Sequence, residues 1–102
     1  MLASFSISPV GAGSSLAKRV AEIVDIIDKS RLNYKLGAMQ TTVEGPEKEV
    51  MALIMKCHRH MRRKANRVIT HIAIDDRAGA KGRLSGKVAD VEKALGRQVS
   101  RE

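Results

Sequence analysis

Tyr34-Lys35-Leu36-Gly37-Ala38-Met39-Gln40-Thr41-Thr42-Val43-Glu44-Gly45 contains two short strand-like pieces joined back to back. Tyr34, Leu36 and Ala38 alternate with Lys35 and Gly37, the period of a strand with one buried face. Thr41, Val43 and Gly45 then alternate with Thr42 and Glu44, and Gly45-Pro46 ends the run. A pair of adjacent strands here, between two helical patterns, sets the topology of everything around it.

Outward to the N-terminus, Leu2, Phe5 and Ile7 read as a strand with serines interleaved, stopped by Pro9, which cannot donate to a ladder. Gly11-Ala12-Gly13 is a loop. Ser14 or Ser15 suits an N-cap, and Val20, Ile23, Val24 and Ile27 follow at i, i+3, i+4 and i+7. That spacing predicts an amphipathic helix of about four turns, ending near Ser30.

Outward to the C-terminus, Pro46 suits the first turn of a second helix, and Glu47 and Glu49 suit its positive end. Val50, Leu53, Ile54, Cys57 and Met61 form its apolar stripe as far as Arg62. Residues Arg67 to Asp75 read as a central or interface strand, because both faces carry apolar residues. Ser85 can cap a last short helix bearing Val88, Val91, Ala94 and Leu95, with Gly96 as its stop.

The resulting order is β-α-β-β-α-β plus a short C-terminal helix. This is the α+β, ferredoxin-like arrangement: an antiparallel sheet with both main helices on one face. At 102 residues the chain is expected to form one domain, 1–102. The sheet face away from the helices is expected to expose Val, Ile and Met residues and to serve as a self-association or ligand surface.

Composition narrows the function classes. Phe5 and Tyr34 are the only aromatics, so the stacking platforms of single-strand nucleic-acid binders are missing. Net charge is +8, with five basic and three acidic residues in 1–40 and fourteen against eight in the remainder. Such a surface steers anionic partners without identifying one. Cys57 is the single cysteine, which rules out an internal disulfide framework and fits a reducing compartment. No secretory leader pattern and no apolar run of membrane-spanning length is seen, so a cytoplasmic protein is expected.

Glu44, at the end of a β-rich run, can accept hydrogen bonds from an amine or amidine. Thr41 and Thr42 offer hydroxyls on opposite strand faces, and Met39 and Gln40 offer a soft wall and an amide. Ser6 and Ser8 can line the same sheet end beside the Gly11 loop. The plainer alternative is a strand end with a solvated Glu, and a simple strand-to-helix turn that lacks the full phosphate-binding glycine pattern. Cys57, His58 and His60 resemble metal ligands only in type, since residues this close on a helix point in different directions. The basic run His58 to Lys64 is a nucleic-acid candidate or a solvated helix C-terminus. No nucleophile–base pair or carboxylate pair at a catalytic spacing is found, so no enzyme, metal or cofactor is expected.

Taken together, Ser8-Pro9-Val10-Gly11, the Ser-started helix, Leu36 to Gly45, Ile74-Asp75-Asp76-Arg77 and Gly86-Lys87-Val88-Ala89-Asp90-Val91-Glu92 resemble the small thiamine-binding proteins, the YkoF-like or UPF0045 type. The resemblance covers nearly the whole chain. It implies a ferredoxin-like fold and sheets paired into dimers, commonly dimers of dimers. It also implies binding of thiamine or its hydroxymethylpyrimidine moiety without a known reaction. Thr41, Thr42 and Glu44 are the positions it carries over. The chain departs from the family pattern at Ala38, in place of Pro, and at Gln40, in place of a small residue. The expected function is therefore non-enzymatic binding of thiamine or a related pyrimidine compound. The ligand residues are expected to be Glu44, Thr41, Thr42, Gln40, Met39, Ser6 and Ser8. The alternative is a basic nucleic-acid-associated or purely structural oligomeric protein.

Overall fold

A computed structural model describes residues 1–11, 16–79 and 82–100. Its elements are β1 (Leu2–Pro9), α1 (Leu16–Lys29), β2 (Asn33–Leu36), β3 (Thr41–Glu44), α2 (Glu47–Arg62), β4 (Val68–Asp75) and α3 (Arg83–Leu95). The four strands form one antiparallel sheet in the order β2-β3-β1-β4. This is the ferredoxin-like topology expected from the element order. The expected Ser14 or Ser15 cap lies outside the described residues.

Residues directly opposite each other in an antiparallel sheet share a face. The register therefore places Ala3, Val43 and Ile74 together, and Phe5, Thr41 and Ile72 together. This face receives α1 and α2. Ala3, Phe5, Val43, Ile23, Ile27, Val50, Leu53, Ile54, Cys57 and Met61 close into one core. The stripe read from the 3.6-residue period is buried throughout in α2, and in α1 at Ile23 and Ile27. Burial also pushes the Cys57 thiol up to about 11, so it remains a protonated packing group at neutral pH. Gly45 completes the junction of β3 with α2: a Cβ there would lie 3.0 Å from Leu32 Cδ2. The two helices are joined at the surface by Glu22, which accepts from Arg19 and lies 3.0 Å from His60 Nε2. The His60 hydrogen bond, followed by Arg19, holds the Glu22 carboxyl below its ordinary value.

Three expectations are corrected. First, β4 is an edge strand, paired along its whole length with β1 alone. Its mixed polarity comes from a helix layer too narrow to cover it. Ile72 and Ile74 sit on the helix face but are 39% and 52% exposed. Second, the opposite face is not apolar. It carries Ser4, Ser6, Ser8, Thr42, Glu44, His71 and Ala73, with Leu2 and Ile69 as apolar exceptions, because most of the strands' apolar residues are committed to the helix side. Helix α3 lies over part of this face, with Leu84 and Val88 beside Lys35 and Thr42. Third, α3 begins at Arg83 after Gly82, not at Ser85. Glu44 Oε2 accepts the Arg83 backbone N–H at 2.6 Å. A carboxylate from a distant strand thus does the work of a local N-cap.

Few contacts hold α3: none of its residues is buried, and Lys87 Nζ pairs with Asp75 of β4. The Lys87 hydrogen bond and charge hold the Asp75 carboxyl below its ordinary 3.8. A depressed folded-state value means that this contribution is present above about pH 4. It is lost as pH falls through the lower folded-state value. We predict that α3 amides lose hydrogen-exchange protection below pH 4, while α2 amides keep theirs. Equal protection of α3 at pH 3 and pH 6 would disprove the latch.

Candidate functional site

The strand lengths create a cleft beside β1. β1 has eight residues, but β3 pairs only with Leu2 to Phe5. From Ser6 onward the β3 side of β1 has no neighbouring strand. Alternate residues of an antiparallel strand aim N–H and C=O at each edge. Backbone donors and acceptors of this half therefore face a gap. Helix α1 roofs the gap, and the turn after β2, closed by the Gly37 N–H bond to the Gln40 carbonyl, walls it. The result is a cleft of about 200 Å³ that brings together Ser6, Ser8, Met39, Gln40 and Thr41, five of the seven expected ligand residues.

Thr41 is the most informative of them. It is 8% exposed, on the helix-facing side of β3, and the described residues make no hydrogen bond to its hydroxyl. Among the described residues no sealed side-chain polar atom lacks a partner, so this hydroxyl keeps its access to solvent at the cleft. Leu16, Val20, Leu36 and Met39 supply apolar walls, and all four are substantially exposed. Ser6 and Ser8 contribute differently from expectation. Their side chains share the opposite face with His71 and Ile69, so it is their backbone edge that meets the cleft.

Thr42 and Glu44 lie elsewhere. Both are on the α3 side of the sheet, and Glu44 is three residues, or about 10 Å, along β3 from Thr41. Glu44 lines a separate charged cleft of about 250 Å³ with Leu2, Asp75, Arg77, Arg83 and Lys87. One of its oxygens is engaged by the Arg83 N–H. Thr42 lines a third depression beneath α3, with Lys35, Leu84 and Val88.

The sequence reading missed Leu16, Val20 and Leu36 as walls. Val20 belongs to a helical stripe whose Ile23 and Ile27 are core, and nothing local distinguishes the stripe's exposed end. Arg83 was also missed, whereas Asp75 and Lys87, noted there as parts of a motif, meet as an ion pair. His58 Nδ1 lies 2.6 Å from Thr70 Oγ1, so both histidines of α2 are engaged by protein groups. With Cys57 protonated in the core, the cleft beside β1 offers a hydroxyl, an amide, backbone groups and apolar walls. That inventory suits recognition.

Comparison with known proteins agrees with this architecture. Residues 3–92 match the family described as thiamine-binding protein. A UPF0045 protein of Mycobacterium bovis is 34% identical over 96 residues, covering 93% of this chain and 94% of that protein. A UPF0045 protein of Bacillus subtilis is 32% identical, covering 92% and 96% respectively. Among solved structures, a hypothetical protein of Methanocaldococcus jannaschii superposes with a TM-score of 0.79 at 28% identity, covering 93% of this chain and 94% of that one. The match extends from β1 through most of α3, so it includes both the gap beside β1 and the Glu44 cleft. By family match and by relatives aligned along nearly their whole length, this chain belongs to the thiamine-binding protein family.

Proposed function

We propose that this protein reversibly binds thiamine or a related hydroxymethylpyrimidine compound in the cleft beside Ser6–Ser8 and catalyses no reaction. The observation that supports this reading is the Thr41 hydroxyl, without a protein partner among the described residues and not sealed from solvent, set next to the unpaired half of β1. An aminopyrimidine edge alternates N–H donors with ring-nitrogen acceptors, as a strand edge does. It can therefore continue the ladder where β3 stops, while its ring lies against Leu36, Val20 and Met39. At about 200 Å³ the cleft is below the roughly 300–1,000 Å³ of sites that enclose a drug-sized ligand. It suits one ring of a two-ring ligand.

Titration calorimetry with thiamine, its phosphates and hydroxymethylpyrimidine tests the reading directly. Absence of heat with all of them, at protein concentrations near the solubility limit, removes it. Paired variants locate the ligand. A loss of affinity in Thr41→Val places it in the cleft beside β1. A loss in Glu44→Gln alone places it in the charged cleft under α3.

The same reading includes a homo-oligomer in the cytoplasm. Its support is β4, an eight-residue edge strand with Ile69, Ile72 and Ile74 exposed. Such an edge is a template for pairing. Sedimentation equilibrium is expected to show a dimer or tetramer that Ile72→Lys with Ile74→Lys dissociates. A concentration-independent monomer for the unaltered chain would refute it.

A further inference from the structure

A second concavity opens at the end of the molecule where β1 and α2 both finish. It measures about 310 Å³ and is lined by Val10, Gly11, Arg62, Arg63, Lys64 and Asn66 together with Ala65. It shares no residue with the cleft beside β1, yet the two abut along two elements. Ser8 lines one and Val10 the other, two residues or about 7 Å apart along the strand. Met61 and Arg62, successive in α2, line one cleft each. The Val10 N–H bond to the Arg67 carbonyl, at 2.8 Å, ties this rim to the end of the sheet.

Three cations and, among the described residues, no carboxylate line this concavity. Among the described residues none of the three forms an ion pair. The Arg62 guanidinium donates to the Ala65 carbonyl at 3.1 Å, which fixes its direction along the rim. One effect opposes an anion here: the carbonyl end of α2 is negative. It is blunted because the Arg63 and Lys64 N–H groups already bond the Arg59 and Met61 carbonyls. Three full positive charges outweigh the remaining fraction of one.

We infer that this basic concavity receives the phosphate of a phosphorylated ligand whose pyrimidine occupies the adjoining cleft, so that the preferred ligand is a thiamine phosphate ester. The inference rests on the pyrimidine reading above. It adds the ligand's charge state, and the electrostatics decide the sign. Free thiamine brings only a cationic thiazolium toward Arg62, Arg63 and Lys64, and repulsion works against it. A phosphate on the hydroxyethyl arm, at the end of the molecule away from the pyrimidine, turns that repulsion into charge-assisted hydrogen bonding.

Calorimetry with thiamine, thiamine monophosphate, thiamine diphosphate and inorganic pyrophosphate, at low and high ionic strength, tests it. The phosphates are expected to bind at least about tenfold more tightly than thiamine at low salt, with the gap narrowing as salt rises. Arg63→Glu with Lys64→Glu is expected to close the gap. Arg63→Gln with Lys64→Gln, a milder pair for use if the first lowers the melting temperature, is expected to narrow it. Equal affinity for thiamine and its phosphates overturns this inference and leaves the pyrimidine reading standing. Absence of binding by every thiamine compound overturns both. Pyrophosphate binding as tightly as thiamine diphosphate, or displacement of the diphosphate by duplex DNA, overturns the ester in favour of a free anion or a nucleic acid.

Discussion

Replacing Ile54 with alanine is expected to cost about 2–5 kcal/mol of folding stability. Ile54 is fully buried on the α2 stripe, among Ala3, Phe5, Val43 and Ile27 of one continuous core. The loss has two parts: the transfer free energy of the removed methyl and methylene groups, and the cavity their neighbours cannot fill. That core contains a single aromatic ring, Phe5, and small side chains such as Ala3. It therefore has few large groups able to swing into a void, which favours the upper half of the range. In a protein of this size each kcal/mol lowers the melting temperature by about 4–8 °C. Because total stability is typically about 5–15 kcal/mol, the variant stands near the threshold of folding. Thermal and urea denaturation measure the loss. Val91→Ala on α3, at a side chain 52% exposed, is the control and should change stability little. Equal effects of the two substitutions would show that the α2 stripe is not the core.

Thr41→Val is expected to separate binding from stability. Valine keeps the β-branched shape and strand preference while removing the hydroxyl. That hydroxyl has no protein partner among the described residues and is not sealed from solvent, so its loss should change stability little. A ligand hydrogen bond at the same atom contributes about 1–1.5 kcal/mol, so affinity for the pyrimidine compound should fall about tenfold. A residue that only supports the strand would behave oppositely, losing stability and leaving affinity intact. Calorimetry and thermal denaturation on the same preparation decide between the two. Unchanged affinity together with reduced stability would remove Thr41 from the site.

The candidate site was legible in part, and the split has a physical cause. Thr41, Gln40 and Met39 were recognisable because a turn and a strand end put side chains of mixed chemistry together within a few residues. Ser6 and Ser8 were singled out for their hydroxyls, whereas the register turns those side chains to the sheet face away from α1 and α2. Only the register with His71 and Ile69 shows which way those hydroxyls point. Glu44 was singled out as a ligand-facing carboxylate. Its partner in the fold is the N–H of Arg83, 39 residues away, and no local pattern contains that distance.

For the fold, local periodicity was sufficient wherever one face of an element is buried along its length. The 3.6-residue stripes of α1 and α2 and the alternation of β1 and β3 each report a single buried side, and together they order the elements into a ferredoxin-like sheet. Side-chain pattern records burial, and burial is what those elements share. Edge position, strand overhang and helix docking are relations between distant segments. The free half of β1 exists because β3 is four residues shorter, a fact of pairing that neither strand's own sequence carries. Likewise the place where α3 starts is set by a carboxylate on β3. Tertiary structure alone decided which backbone groups of β1 were left without a neighbouring strand once the core closed, and therefore where the cleft beside β1 opens.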